Sequence, residues 1–349
     1  MAYTDIDKPS DYFNTSAVWS GDDSEHTISG IGHQPNFTWI KGVNIGTQHY
    51  LFDSVRGATK VIISNGTNAE FTVAQTLKSW NSDGFVLGTS DDVNGSGRTY
   101  VSWNWKAGTS FTNDASATGI GTIDSNGSVS TDAGFSIVSW TGTGSNGTIK
   151  HGLSSVLKTI IVKNTSTTDS WMVYHVGMGN NAYMHLETTN GALSPSTAQF
   201  QATTPTSSVF SVGTADGTNK SSSNMIAYCF ADVKGYSKFG SYTGNGNADG
   251  SMIVTGMKPA FVMAKKSSGT EDWSITDNKM NTFNVCNNKL RPNSSSQQST
   301  GNAHIDFLSN GFKWRSTSGE FNASGSTYIY MAFAENPFVT SSGVPATAR

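Results

Sequence analysis

Three stretches, Tyr100-Val101-Ser102-Trp103-Asn104-Trp105-Lys106, Met225-Ile226-Ala227-Tyr228-Cys229-Phe230-Ala231 and Tyr328-Ile329-Tyr330-Met331-Ala332-Phe333-Ala334, read as three versions of one β-strand. Alternate residues of a strand point to opposite faces of a sheet. One face then takes Val101, Trp103 and Trp105, or Ile226, Tyr228 and Phe230, or Ile329, Met331 and Phe333, all large enough to fill a core. The other face takes mostly small residues (Ser102 and Asn104, Ala227 and Cys229, Tyr330 and Ala332), which suits the close approach of a second layer or solvent. This period-2 pattern, bounded by Gly/Asn/Asp/Ser turns, is that of a half-buried antiparallel strand.

Working outward, the surroundings of the three strands also match. A strand ending in lysine occurs in each: Phe37 to Lys41, Thr159 to Lys163, and Phe261 to Lys265. Eight positions past each lysine stands His49, Trp171 or Trp273, and four further on Asp53, His175 or Asp277. Each segment opens on an aromatic residue and a glycine turn, Trp19-Ser20-Gly21, Trp140-Thr141-Gly142 and Tyr242-Thr243-Gly244. An Asn-x-Ser at Asn94, Asn219 and Asn322 precedes each closing strand, and these asparagines are expected to supply turns with φ above zero. Internal repetition at this period implies one structural unit used three times. No helical period of ten or more residues is present. The expected fold is all-β: three tandem antiparallel β-sandwich repeats of the jelly-roll or lectin-like kind, each of about 100 residues and able to bury its own core.

The boundaries follow from the anchors. Residues 1–14 are polar and restrained by Pro9, and read as an N-terminal docking arm. Residues 15–108, 132–233 and 234–338 are the expected repeats, and 339–349 a C-terminal tail. The first two lysines are 122 positions apart and the next two 102; the excess falls at 109–131, a Ser/Thr/Asn/Gly-rich run that reads as a linker.

Composition excludes several function classes. The 349 residues include 37 Gly, 49 Ser, 41 Thr and 29 Asn, while only 13% are charged and the net charge is −3. A chain with no basic run makes a poor nucleic-acid binder. Its 38 aromatics argue against disorder. No apolar run is long enough to insert in a bilayer as a helix. Cys229 and Cys286 form neither a disulfide framework nor a four-ligand zinc site.

No catalytic constellation can be named. The seven histidines show no metal-ligand spacing, and no nucleophile elbow or phosphate loop occurs. Gly142 to Gly147 matches Gly-x-Gly-x-x-Gly but is followed by a strand instead of a helix. Asn245 to Gly250 begins like a calcium loop but has Gly256 where the bidentate carboxylate belongs. The chain is therefore expected to be no enzyme and to hold no cofactor and no metal. Trp19, Trp140 and Tyr242, beside polar turns, are the candidate ligand contacts, as stacking platforms for a sugar, against the alternative that they are core.

The opening Met1-Ala-Tyr-Thr-Asp-Ile-Asp-Lys-Pro-Ser10, the phrase from Gly235 to Gly246, and Ile329-Tyr-Met-Ala-Phe-Ala-Glu-Asn-Pro-Phe338 resemble virion proteins of marine tailed bacteriophages. Those proteins carry an uncharacterised repeated domain and are often labelled tail fibre or structural protein. The resemblance spans nearly the whole chain. It implies a surface protein of the virion that is folded in the host cytoplasm. The expected role is a tail-fibre adhesin contacting host-surface glycan or protein; the alternative is a capsid decoration protein without a ligand. Expected partners are other virion proteins, reached through the N-terminal arm, and further copies of the chain, a trimer being favoured for a fibre.

Overall fold

A computed structural model describes residues 3–301 and 305–348; Met1, Ala2, Asn302, Ala303, His304 and Arg349 lie outside the described residues. The three closing strands lie inside the three largest sheets. Thr99–Trp105 runs between Phe13–Thr15 and Phe37–Gly42 in a seven-stranded sheet. Asn224–Phe230 runs between Phe135–Thr141 and Thr159–Asn164 in a six-stranded sheet. Thr327–Pro337 runs between Ser237–Thr243 and Met257–Lys266 in a four-stranded sheet. The register repeats too: Val101 stands opposite Lys41, Ile226 opposite Lys163, and Ile329 opposite Lys265. The strands of these sheets pair antiparallel throughout. Each large sheet has a smaller companion, built on Gly84–Leu87, Val209–Val212 and Gly311–Trp314 respectively.

The apolar faces sort into four clusters. Three are local, each between a large sheet and its companion: Tyr100 with Phe85 and Leu87, Ala227 and Cys229 with Phe210 and Val212, and Tyr330 and Ala332 with Phe307 and Phe312. The small residues of the closing strands thus admit a second layer. The fourth cluster is central and takes all nine large residues, Val101, Trp103, Trp105, Ile226, Tyr228, Phe230, Ile329, Met331 and Phe333. Trp105 and Phe333 have ring centroids 5.6 Å apart, and Phe230 and Phe333 5.9 Å. The expectation that each segment keeps its large face for its own core is therefore corrected. The widest side chains have the most surface to remove from water, and they are pooled between the segments.

Two boundary assignments change. Residues 109–131, expected to be a linker, fold as Thr109–Asn113, a short helix Ala115–Thr118 and Ser125–Ser130. These strands extend the six-stranded sheet, and Ile123 enters its local core with Phe111 and Val129 packed against it. Gly127 makes this possible: a Cβ there would stand 2.0 Å from the Ile137 carbonyl oxygen. Residues 3–14 are not a free arm. Ile6 and Phe13 are buried in the central cluster, Phe13 stacks on Phe333 at 4.9 Å, and the Asp5 amide donates to the Lys234 carbonyl at 3.1 Å. Two apolar side chains in a polar segment suffice to bind it to its own chain. Within the expected 339–349 tail, Val339 pairs with Pro345, so the chain turns back on itself, and the Ser341 amide donates to Asp7 at 2.7 Å.

Asn94, Asn219 and Asn322 also differ from expectation, since none has a positive φ. All three are buried clips. The Asn322 amide donates to Asn245 Oδ1, the Asn247 carbonyl and the Ser316 carbonyl at 2.7–3.0 Å, and its Oδ1 accepts the Asn245 amide at 2.9 Å. Asn219 does the same with Thr143, Ser145 and Gly213, and Asn94 with Asp22, Ser24 and Gly88. The preceding Gly21, Gly142 and Gly244 pass so close that a Cβ would lie 2.1–2.3 Å from a backbone oxygen. Both the glycine motif at 142–147 and the Asn245 loop thus belong to these clips.

Candidate functional site

Two of the three aromatic candidates occupy core positions, and the third packs against a core. Trp19 and Trp140 are 7% and 3% exposed, in the local cores of their segments. Trp19 stacks on Tyr100 at 5.7 Å and Trp140 meets Phe210 edge-on at 5.7 Å. Tyr242 is half-buried, stacks on Tyr328 at 4.9 Å, and donates its hydroxyl to the Phe321 carbonyl at 2.9 Å. Trp19 and Trp140 pack into two different local cores and Tyr242 packs against a third, so the three rings are not brought together as one stacking site. Trp140 keeps one functional connection: it forms part of the wall of the groove described below.

The matched polar positions do come together, at the junctions between segments. Asp53 accepts the Tyr228 hydroxyl at 2.8 Å; His175 meets the Tyr330 carbonyl at 3.0 Å; Asp277 accepts the Trp103 indole N–H at 3.0 Å. First segment thus reaches second, second reaches third, and third returns to first. The lysines run the opposite way round. Lys163 donates to the Thr67 carbonyl at 2.9 Å, Lys265 to Thr189 at 3.1 Å, and Lys41 to Ser295 at 3.3 Å. All three ammonium groups are fully buried, and loss of water pushes their pKa down to about 8. His175 accepts the Gly177 amide at Nδ1, so its proton sits on Nε2, and burial holds its pKa down to about 4. Asp53 is further paired with Arg56, which also reaches Glu70 at 3.3 Å. These are charged groups with partners inside a packed interior. Asp53, Arg56 and Tyr228 are bonded to one another in the interior, an arrangement that holds the first and second segments together.

An open concavity lies elsewhere, in the second segment. It has a volume of about 660 Å³ and lies between the 109–131 excursion and the turn after Thr141. This is within the ordinary range for a small-molecule site. The strands align its floor: Thr112 stands opposite Asn126, Asn126 opposite Ser139, and Thr141 opposite Asn224. Asp114 and Asp124 are the charged residues of the lining. Both are engaged locally, Asp114 capping the short helix at the Ala117 amide and Asp124 accepting the Ala115 amide at 2.8 Å. Among the described residues no group of three or more His, Cys, Asp or Glu is placed to hold a metal, and no helix is long and apolar enough to cross a membrane.

The family model described as a domain of unknown function, DUF7483, matches residues 8–337, which is nearly the whole chain. The chain belongs to the DUF7483 family. No curated protein matches it. The matched range takes in all three closing strands, the excursion and the groove, so the family domain is the entire three-segment body. Sequence reading of this DUF7483 chain missed the groove, whose floor residues are ordinary Thr, Asn and Ser. The available signal was the excess length of the first lysine interval, which marks an addition to one segment.

Proposed function

We propose that this chain is a surface protein of a bacteriophage particle, and within that class a tail-fibre or receptor-binding adhesin that contacts host-surface glycan or protein. It folds in the host cytoplasm and works on the outside of the virion. The observation that carries the adhesin role is the groove: an addition present in one segment builds an open polar concavity on an otherwise tripled frame. The resemblance of Met1 to Ser10, Gly235 to Gly246 and Ile329 to Phe338 to virion proteins supports the particle assignment. We read the architecture as three tandem antiparallel β-sandwich repeats of the jelly-roll or lectin-like kind, closed into a ring by the junctions. The reading is non-enzymatic, with the buried acids and bases serving the junctions. A homotrimer, as a fibre needs, has to use faces other than those that close this ring.

The closed ring of buried contacts also favours a second reading, a rigid decoration protein of the capsid. Mass spectrometry of purified particles separates the two: a fibre is present in few copies and a decoration protein in many. The adhesin reading further expects the isolated chain to compete with whole particles for host cells. Absence of the chain from particles overturns the virion assignment, and presence without competition overturns the adhesin role.

A further inference from the structure

We propose that the groove beside the 109–131 excursion binds a neutral oligosaccharide and discriminates against acidic glycans. This inference rests on the adhesin reading and names the chemistry of its ligand.

Three observations carry it. First, the floor is a set of groups that both donate and accept. Thr112, Asn126 and Ser139 lie in register across three neighbouring strands, and Thr141 and Asn224 face each other one step along. Neighbouring strands place such side chains ~5 Å apart, and hydroxyls and amides of this kind match sugar hydroxyls, which also donate and accept. Second, these five side chains make no hydrogen bond within the chain, although they line a concave site. The contrast is with Asn94, Asn219 and Asn322, whose amides are fully engaged by their own loops. Third, the lining has Asp114 and Asp124 but no Lys, Arg or His. A sulfate, phosphate or sialic acid carboxylate entering there would face two carboxylates and no cation, and like charges so placed suppress binding. A neutral ligand has no such cost, and its affinity should be insensitive to salt.

The test uses the full chain and a panel of maltohexaose, cellohexaose, mannohexaose and chitohexaose beside sialyllactose and heparin hexasaccharide. Binding is measured by calorimetry at 50 and 500 mM NaCl. At least one neutral hexasaccharide should bind, with less than a twofold change between the two salts, and both acidic probes should bind at least tenfold more weakly. Asn126→Trp, which fills the floor at an exposed position, should weaken the neutral sugar at least tenfold while the melting temperature stays that of the wild type. Thr72→Trp, on an exposed strand away from the groove, should leave binding unchanged. The proposal fails if no neutral sugar binds, if Asn126→Trp binds as well as wild type, or if an acidic probe binds as tightly. If the chain still competes with particles for host cells while no sugar binds, the groove assignment alone is refuted and the adhesin reading stands.

Discussion

Asp277 Oδ2 accepts the indole N–H of Trp103 at 3.0 Å, joining residues 174 positions apart, and both groups are fully buried. The same carboxylate accepts the amides of Lys279 and Met280 through Oδ1 at 2.7 and 2.9 Å. It is the contact that returns the third segment to the first and closes the ring begun by Asp53–Tyr228 and His175–Tyr330. Asp277→Ala leaves the buried Trp103 indole N–H and two part-buried amides without an acceptor and should cost about 2–4 kcal/mol in denaturant unfolding. Asp277→Asn keeps an acceptor oxygen and should cost less. Equal losses for the two variants would show that the carboxylate does not act as an acceptor.

The Asn322 clip holds the 245–249 loop through two donated bonds and one accepted bond, and a third donated bond reaches the Ser316 carbonyl. Asn322→Ala should destabilise by about 1–3 kcal/mol, because the buried Ser316 carbonyl and the part-buried loop groups lose their partner. Asn322→Asp should be no better, since its carboxylate would face three oxygen acceptors. Hydrogen exchange of the Asn245 amide should accelerate in both variants.

Phe333 is 1% exposed and touches aromatic rings from all three segments, including Phe13, Trp105 and Phe230. Phe333→Ala should cost roughly 3–5 kcal/mol. Deleting residues 1–14 removes the buried Ile6 and Phe13 and should lower the melting temperature. An unchanged melting temperature would mean that the N-terminal segment is not part of the core.

Acid should destabilise the chain above the carboxylate range. Burial holds His33, His151 and His175 down to about 4. Between pH 6.5 and 4 the unfolded chain binds a proton at each that the folded chain does not, so stability falls as pH falls through that window. At pH 5 the loss is about 2 kcal/mol per histidine. His175→Gln should remove its share of the slope.

The buried lysines act in the same sense on the alkaline side. Their pKa of about 8 lies below that of an exposed lysine, so between pH 8 and 10 the folded state holds fewer protons and stability rises with pH. From pH 7 to 9 the gain is about 1 kcal/mol per lysine. Above pH 10 the buried tyrosines reverse the trend, since burial raises the pKa of groups such as Tyr236. Lys163→Met should flatten the rise; a curve unchanged by the substitution would rule out the lysine as its source.

The all-β class was legible in the sequence because strand alternation is a local property: the nine large residues on one side of the closing strands identify themselves by period alone. The matched register of Lys41, Lys163 and Lys265 against the closing strands was legible too, and so was the burial of Trp105, Phe230 and Phe333. Only the tertiary structure decided what those residues face. Alternation says that Trp103, Tyr228 and Met331 leave solvent but not whether they meet their own companion sheet or another segment, and the central cluster pools them because three large faces together exclude more water than each could alone. The 109–131 strands were invisible for a related reason. With sequences such as Ser-Asn-Gly-Ser-Val-Ser they have no propensity of their own and pair only because Phe135–Thr141 offers an open edge. The groove is a product of that pairing: its floor comes from four strands, and Thr112, Asn126, Ser139 and Asn224 become one surface only when the sheet forms.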